Sequence, residues 1–134
     1  MNASKNEGIK IYQNLGKLFY AIAASDRVVR EAEYNMLRKI VQTKWLNASK
    51  VEDKFGPDAA YQIEIVFDWM DAEESSAETC FSSFEQCYLN YKSKFTTQIR
   101  QLIWDTADAI ASAFSDKNKS ELIMLGRLRL LFEK

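Results

Sequence analysis

Asp26, Glu31 and Glu33 fall in the stretch IAASDRVVREAE (residues 22–33), where a run of small apolar residues gives way to acids. An acidic turn followed by a Glu at a helix start can present several oxygens to a hard cation such as calcium, magnesium or manganese. The same residue types serve ordinary helix starts: Asp is a favoured N-cap, and a first-turn Glu complements the helix dipole. Arg27 and Arg30 already balance the local charge. Capping is therefore the preferred reading of Asp26, with a metal site using Asp26 and Glu33 as the alternative.

A second acidic turn lies at Asp116, where Asp116, Asn118 and Ser120 alternate as in the first half of a calcium loop. Such a loop needs Gly at its sixth position and a bidentate Glu at its twelfth. Glu121 and Arg127 stand there instead, and Lys117 and Lys119 oppose a cation. A solvated turn between helices is preferred, with Asp116 and Glu121 as the matching metal candidates.

A third group of acids runs from Glu64 to Glu85, through Asp68, Asp71, Glu73, Glu74 and Glu78, with no Lys or Arg among them. A charge run is ordinarily a solvated face. This one contains Phe67, Trp69 and Phe81. Trp69 lies off the Ile63/Phe67/Met70 stripe and is predicted to be exposed. Trp69, Asp71, Glu73 and Glu74 together form a candidate surface for a basic protein partner, since Trp is favoured at interface hot spots.

Much chemistry is excluded by what is missing. The chain has no histidine, which removes serine–histidine and cysteine–histidine catalysis and the commonest zinc ligand. Its two cysteines, Cys80 and Cys87, are seven residues apart. On one helix that is roughly 10 Å, beyond the ~7 Å limit for a disulfide, and both fall on an apolar side as inert thiols. No cofactor motif is present, and no catalytic constellation, so the protein is read as a non-enzyme. A net charge of −1 without a basic run points to no nucleic-acid partner. The polar start MNASKNEGIK and the lack of a ~20-residue apolar window predict a cytoplasmic protein with no membrane insertion. These residues do not define an oligomeric state.

The elements that must position these groups are helical. One Pro and four Gly in 134 residues leave few breaks, and the length suits one domain over residues 1–134. Tyr12, Leu15, Phe19, Ile22 and Ala23 follow the i, i+3, i+4, i+7 pattern of a helix face. Val29, Ala32, Met36, Leu37, Ile40, Val41 and Trp45 form a second stripe. NASKVEDKFGP (47–57) reads as a loop, with Asp58 capping a third helix that carries Ile63, Val66, Phe67 and Met70. Ser75 with Glu78 has the capping-box spacing ahead of Cys80, Phe84, Cys87, Tyr88 and Tyr91. A helix over 95–114 follows. A last one carries Leu122, Leu125, Leu128, Leu131 and Phe132 on its core side. The result is an all-α chain of about six helices.

AIAASDRVVREAEYNML near the start is echoed by AIASAFSDKNKSELIML near the end. Each is a small apolar helix end, then Ser-Asp, then a Glu-bearing amphipathic helix. At Ala23-Ala24-Ser25-Asp26 with Glu33, and again at Ala113-Phe114-Ser115-Asp116 with Glu121, the chain resembles the TerB-like family, named for a tellurite-resistance protein. The resemblance implies a multihelical bundle of two pseudo-symmetric three-helix halves, with metal binding suspected at the acidic positions. Where the family keeps glycine after the Asp, this sequence has Arg27 and Lys117, neither with glycine's freedom at positive φ. The function implied is a non-catalytic helical module for protein–protein interaction in a stress response. The alternative is a divalent-metal sensor or metal-assisted hydrolase using Asp26, Glu33, Asp116 and Glu121.

Overall fold

Leu15, Leu18, Phe19, Ala21, Ile22 and Ala23 are all fully buried. The last two turns of the first helix, residues 18–23, are covered on every side, whereas its first half keeps Lys10 in water, so the helix enters the centre of the fold at its C-terminal end. The computed structural model describes residues 3–46, 57–113 and 118–134. Among them are six α-helices and no strand. They are α1 (Ala3–Ala23), α2 (Glu31–Ile40), α3 (Pro57–Ala72), α4 (Ala77–Asn90), α5 (Thr97–Ser112) and α6 (Lys119–Phe132). No helix among the described residues is long and apolar enough to cross a membrane.

Helix α1 is the axle: α3, α4, α5 and α6 all pack against it, while α2 packs on α5 and α6 on α5. The approach of α3 is closest at Gly16. A Cβ there would lie 2.7 Å from the Ile63 carbonyl oxygen and 2.9 Å from the Val66 Cβ. Helix α2 runs on into a π-turn, Val41–Trp45. That wider turn delivers Trp45 to the core, edge-on to Tyr12 and tilted against Phe19. Its indole N–H donates to Thr106 Oγ1 on α5 at 3.1 Å, so the buried ring keeps a polar partner.

Helix starts differ in detail from the sequence expectation. Helix α3 begins at Pro57, a position where the missing N–H costs nothing, so Asp58 lies inside its first turn rather than ahead of it. Helix α4 is capped by Ser76, whose side chain accepts from Thr79 N–H, one residue beyond the expected Ser75. That shift frees Glu78 to meet Arg127 of α6 in a two-pronged contact at 2.7 and 2.8 Å. The Arg127 guanidinium also covers the Phe81 ring at 4.3 Å, tying α6 to α4. Helix α5 is shorter than expected at both ends and is capped by Thr96. Cys80 and Cys87 are free and buried. Burial pushes both thiols up, Cys87 to about 11, against the weaker pull of nearby lysines. Residues 47–56 lie outside the described residues.

The largest departure is in α6. Leu122, expected in the core, is 54% exposed, together with Ile123 and Leu130. Met124, Leu125, Leu128 and Leu131 form the buried side instead. Helix α6 has apolar residues around most of its circumference, so its spacing alone admits more than one inward face.

Candidate functional site

The α1–α2 turn is built around Asp26. Tyr20, Ile22 and Ala24 carbonyls accept the last N–H groups of α1 and its exit turn. The chain then passes through Arg27 at φ 69°. A left-handed conformation in a residue with a Cβ costs roughly 1–2 kcal/mol. Arg27 thus adopts the backbone form that glycine would favour, despite lacking glycine's freedom. Asp26 does not cap α2. Its Oδ1 accepts from Val28 N–H at 3.1 Å, forming a local Asx-type turn, and the N-cap is Arg30, four residues on. The carboxylate is thereby spent on the turn and cannot reach the first N–H groups of the helix.

Asp26 Oδ2 has two further donors. Arg30 Nη1 lies at 2.9 Å and Asn118 Nδ2 at 2.8 Å, although Asn118 is 92 residues away in sequence. The first acidic turn therefore meets the N-cap of α6. Burial pushes the Asp26 carboxyl up, but the Arg30 and Val28 hydrogen bonds and the Arg30 charge outweigh it and hold it below its ordinary value.

Two buried carboxyls lie behind this contact. Glu33 is 1% exposed and Glu121 3%, and their carboxyl groups are within hydrogen-bonding reach of each other. Each belongs to the start of its own helix. Glu33 Oε1 accepts from Arg30 N–H at 2.8 Å. Glu121 Oε1 accepts from Asn118 N–H at 3.0 Å, while Asn118 Oδ1 accepts from Glu121 N–H at 2.8 Å. The second turn thus has a complete capping box. The first has only the Glu half, because an Arg side chain has no acceptor.

Burial raises the Glu33 carboxyl to about 7, against the opposing Arg30 backbone hydrogen bond and with help from the adjacent Glu121. Two carboxyls in contact cannot both ionise cheaply. Near neutral pH Glu33 therefore still holds its proton part of the time. Asp26, Arg30, Glu33, Glu121 and Asn118 together close a ring of hydrogen bonds across both turns.

Of the four metal candidates, Asp26, Glu33 and Glu121 are brought together, and Asp116 lies outside the described residues. Among the described residues no group of three or more acids or cysteines is arranged to hold a metal ion. Asp26 faces donors on both oxygens, and a cation would have to displace them.

The partner-surface candidates fall in two places. Trp69 is 60% exposed on α3, its indole N–H 3.3 Å from Glu73 Oε1. Tyr61 and Ile65, two turns and one turn back, are 40% and 56% exposed. These two were missed in the sequence, although the i, i+4, i+8 spacing with Trp69 was there to be seen. Asp71 and Glu74 instead face a cleft of about 670 Å³ shared with Arg27, Tyr20, Glu78 and Met124. Glu74 turns that corner at φ 51°. Burial, then Asp68 and Glu74, raises the Asp71 carboxyl. Of the wider acidic run, Glu64 pairs with Arg38 and Glu78 with Arg127. Asp68, Asp71, Glu73 and Glu74 have no ion-pair partner among the described residues.

No protein-family model matches the chain, and no curated protein or solved structure matches it.

Proposed function

We propose that the chain is a single TerB-like helical domain with no catalytic role, and that it docks a basic, amphipathic segment of another protein in a cytoplasmic stress response of the tellurite-resistance kind. The observation that carries the docking reading is the exposed Tyr61–Ile65–Trp69 row on α3, followed in the chain by acids without ion-pair partners among the described residues. Exposed apolar area of this kind supplies anchoring, and the acids supply steering and selectivity for Lys and Arg. The family assignment rests on the two Ser-Asp sequences, on Arg27 in the conformation expected of the family's glycine, and on the hydrogen bond from Asn118 at the start of α6 to Asp26, which suits two pseudo-symmetric halves.

The test is binding of a labelled amphipathic peptide carrying alternating Lys/Arg and Leu helix turns, followed by fluorescence anisotropy. Wild type is expected to bind, more weakly as salt is raised. Trp69→Ala and the triple variant Asp71→Lys/Glu73→Lys/Glu74→Lys should each lose about tenfold or more in affinity. Equal binding by wild type and both variants would rule this surface out.

The adjacent Glu33 and Glu121 carboxyls favour one second reading, a divalent-cation sensor in which a metal replaces the Glu33 proton. Calcium, magnesium or manganese should then raise the melting temperature, and Glu33→Gln should abolish the rise. No rise at millimolar metal ends that reading.

A further inference from the structure

Helix α6 leaves one side unpartnered, and that side is nearly a palindrome. Gly126 is exposed, with nothing within 4 Å of where its Cβ would be. Leu122 and Leu130 stand four residues before and after it, 54% and 63% exposed. Ile123 and Arg129 stand three before and three after. Lys119 and Glu133 stand seven before and seven after, both exposed. At ~100° per residue all six lie within about 60° of the Gly126 direction. Neither Lys119 nor Glu133 has an ion-pair partner among the described residues.

From this symmetry we infer that α6 is a homodimer interface in which two copies pack antiparallel, crossing at Gly126. A two-fold axis through Gly126 sets residue 126+k of one copy opposite residue 126−k of the other. Leu122 then meets the second copy's Leu130, twice. Lys119 meets the second copy's Glu133, twice. The aliphatic stem of Arg129 lies along the second copy's Leu122, on the same side of the seam. Gly126 faces itself, so the two backbones can approach closely where any side chain would hold them apart. An isologous contact needs one self-complementary patch, and here the charges as well as the apolar residues are self-complementary under antiparallel pairing. A parallel pairing in register would instead set Lys119 against Lys119 and Glu133 against Glu133. One helix pair is at the small end of specific interfaces, so the dimer is expected to be weak and concentration-dependent.

Sedimentation equilibrium of the full chain tests this, over roughly 1 μM to 1 mM, the range in which small interfaces dissociate. The mass should rise with concentration from 15.5 kDa toward twice that value. Gly126→Glu, which adds a better helix former and places two like charges at the axis, should stay folded and monomeric by circular dichroism and sedimentation. Lys119→Glu and Glu133→Lys should each weaken the dimer about tenfold. An equimolar mixture of those two variants should dimerise again. In the mixed pair, position 119 of either copy faces a residue of opposite charge at position 133 of the other. A monomer throughout the range, a dimer untouched by Gly126→Glu, or no recovery on mixing would each overturn the inference.

Discussion

Glu33 faces Glu121 from inside the protein, and its ionisation is opposed first by burial and then by that neighbour. In the unfolded chain a Glu titrates near 4.3; here Glu33 titrates at about 7. The folded state therefore holds the proton more tightly, and this group favours folding below about 4.3 and loses that contribution as pH rises to about 7. The loss is on the order of 3 kcal/mol if the whole shift is expressed. Asp26 acts with the opposite sign: its lowered value supports the fold above the ordinary Asp range and is lost in acid. Urea midpoints of wild type should fall between about pH 5 and pH 8, with Glu33→Gln showing a much flatter profile. An unchanged slope in the variant would mean that Glu33 is ionised throughout. The acids were legible as residues, and Glu121 as a first-turn Glu. Their contact was not, because nothing local to either turn reports what lies across from it.

At the scale of the element, glycines separate what is close-packed from what is open. Gly16 lies against α3, where a Cβ would meet a backbone oxygen that cannot step aside. Gly16→Ala should destabilise the protein by about 1–3 kcal/mol, as overpacking does. Gly126→Ala adds a methyl into open space and should stabilise by roughly 0.5–1 kcal/mol through helix propensity. Thermal melts at low micromolar concentration compare the two directly, and the expected signs are opposite. Helix existence was readable from periodicity in each described segment. The inward face was readable where the helix has one apolar stripe, as in α2, and was not in α6, where apolar residues run around most of the helix. There the packing against α1 and α5 selected Met124, Leu125, Leu128 and Leu131. The cap at Ser76 rather than Ser75 is the same lesson at smaller size, since adjacent serines offer equal chemistry and the turn from α3 decides between them.

For the whole molecule, the Asp26–Asn118 hydrogen bond joins turns 92 residues apart and, with the Glu33–Glu121 contact, holds the start of α2 beside the start of α6. A double-mutant cycle of Asp26→Ala and Asn118→Ala should give a coupling energy of about 0.5–1.5 kcal/mol, the scale of one hydrogen bond. Strict additivity would show that the turns touch without supporting each other. Asn118→Ala alone also removes an N-cap, at about 1 kcal/mol.

Helix-forming stretches, the apolar face of the first helix, inert thiols, an exposed Trp69 and the lack of histidine chemistry all follow from the order of the residues. Each is decided by neighbours within a few turns of the chain, or by composition alone. The ring of Asp26, Arg30, Glu33, Glu121 and Asn118, the left-handed Arg27 and the open Leu122–Gly126–Leu130 face were decided by tertiary structure. They depend on how helices cross and which faces they cover, and a 3.6-residue repeat carries no record of the helix on the other side.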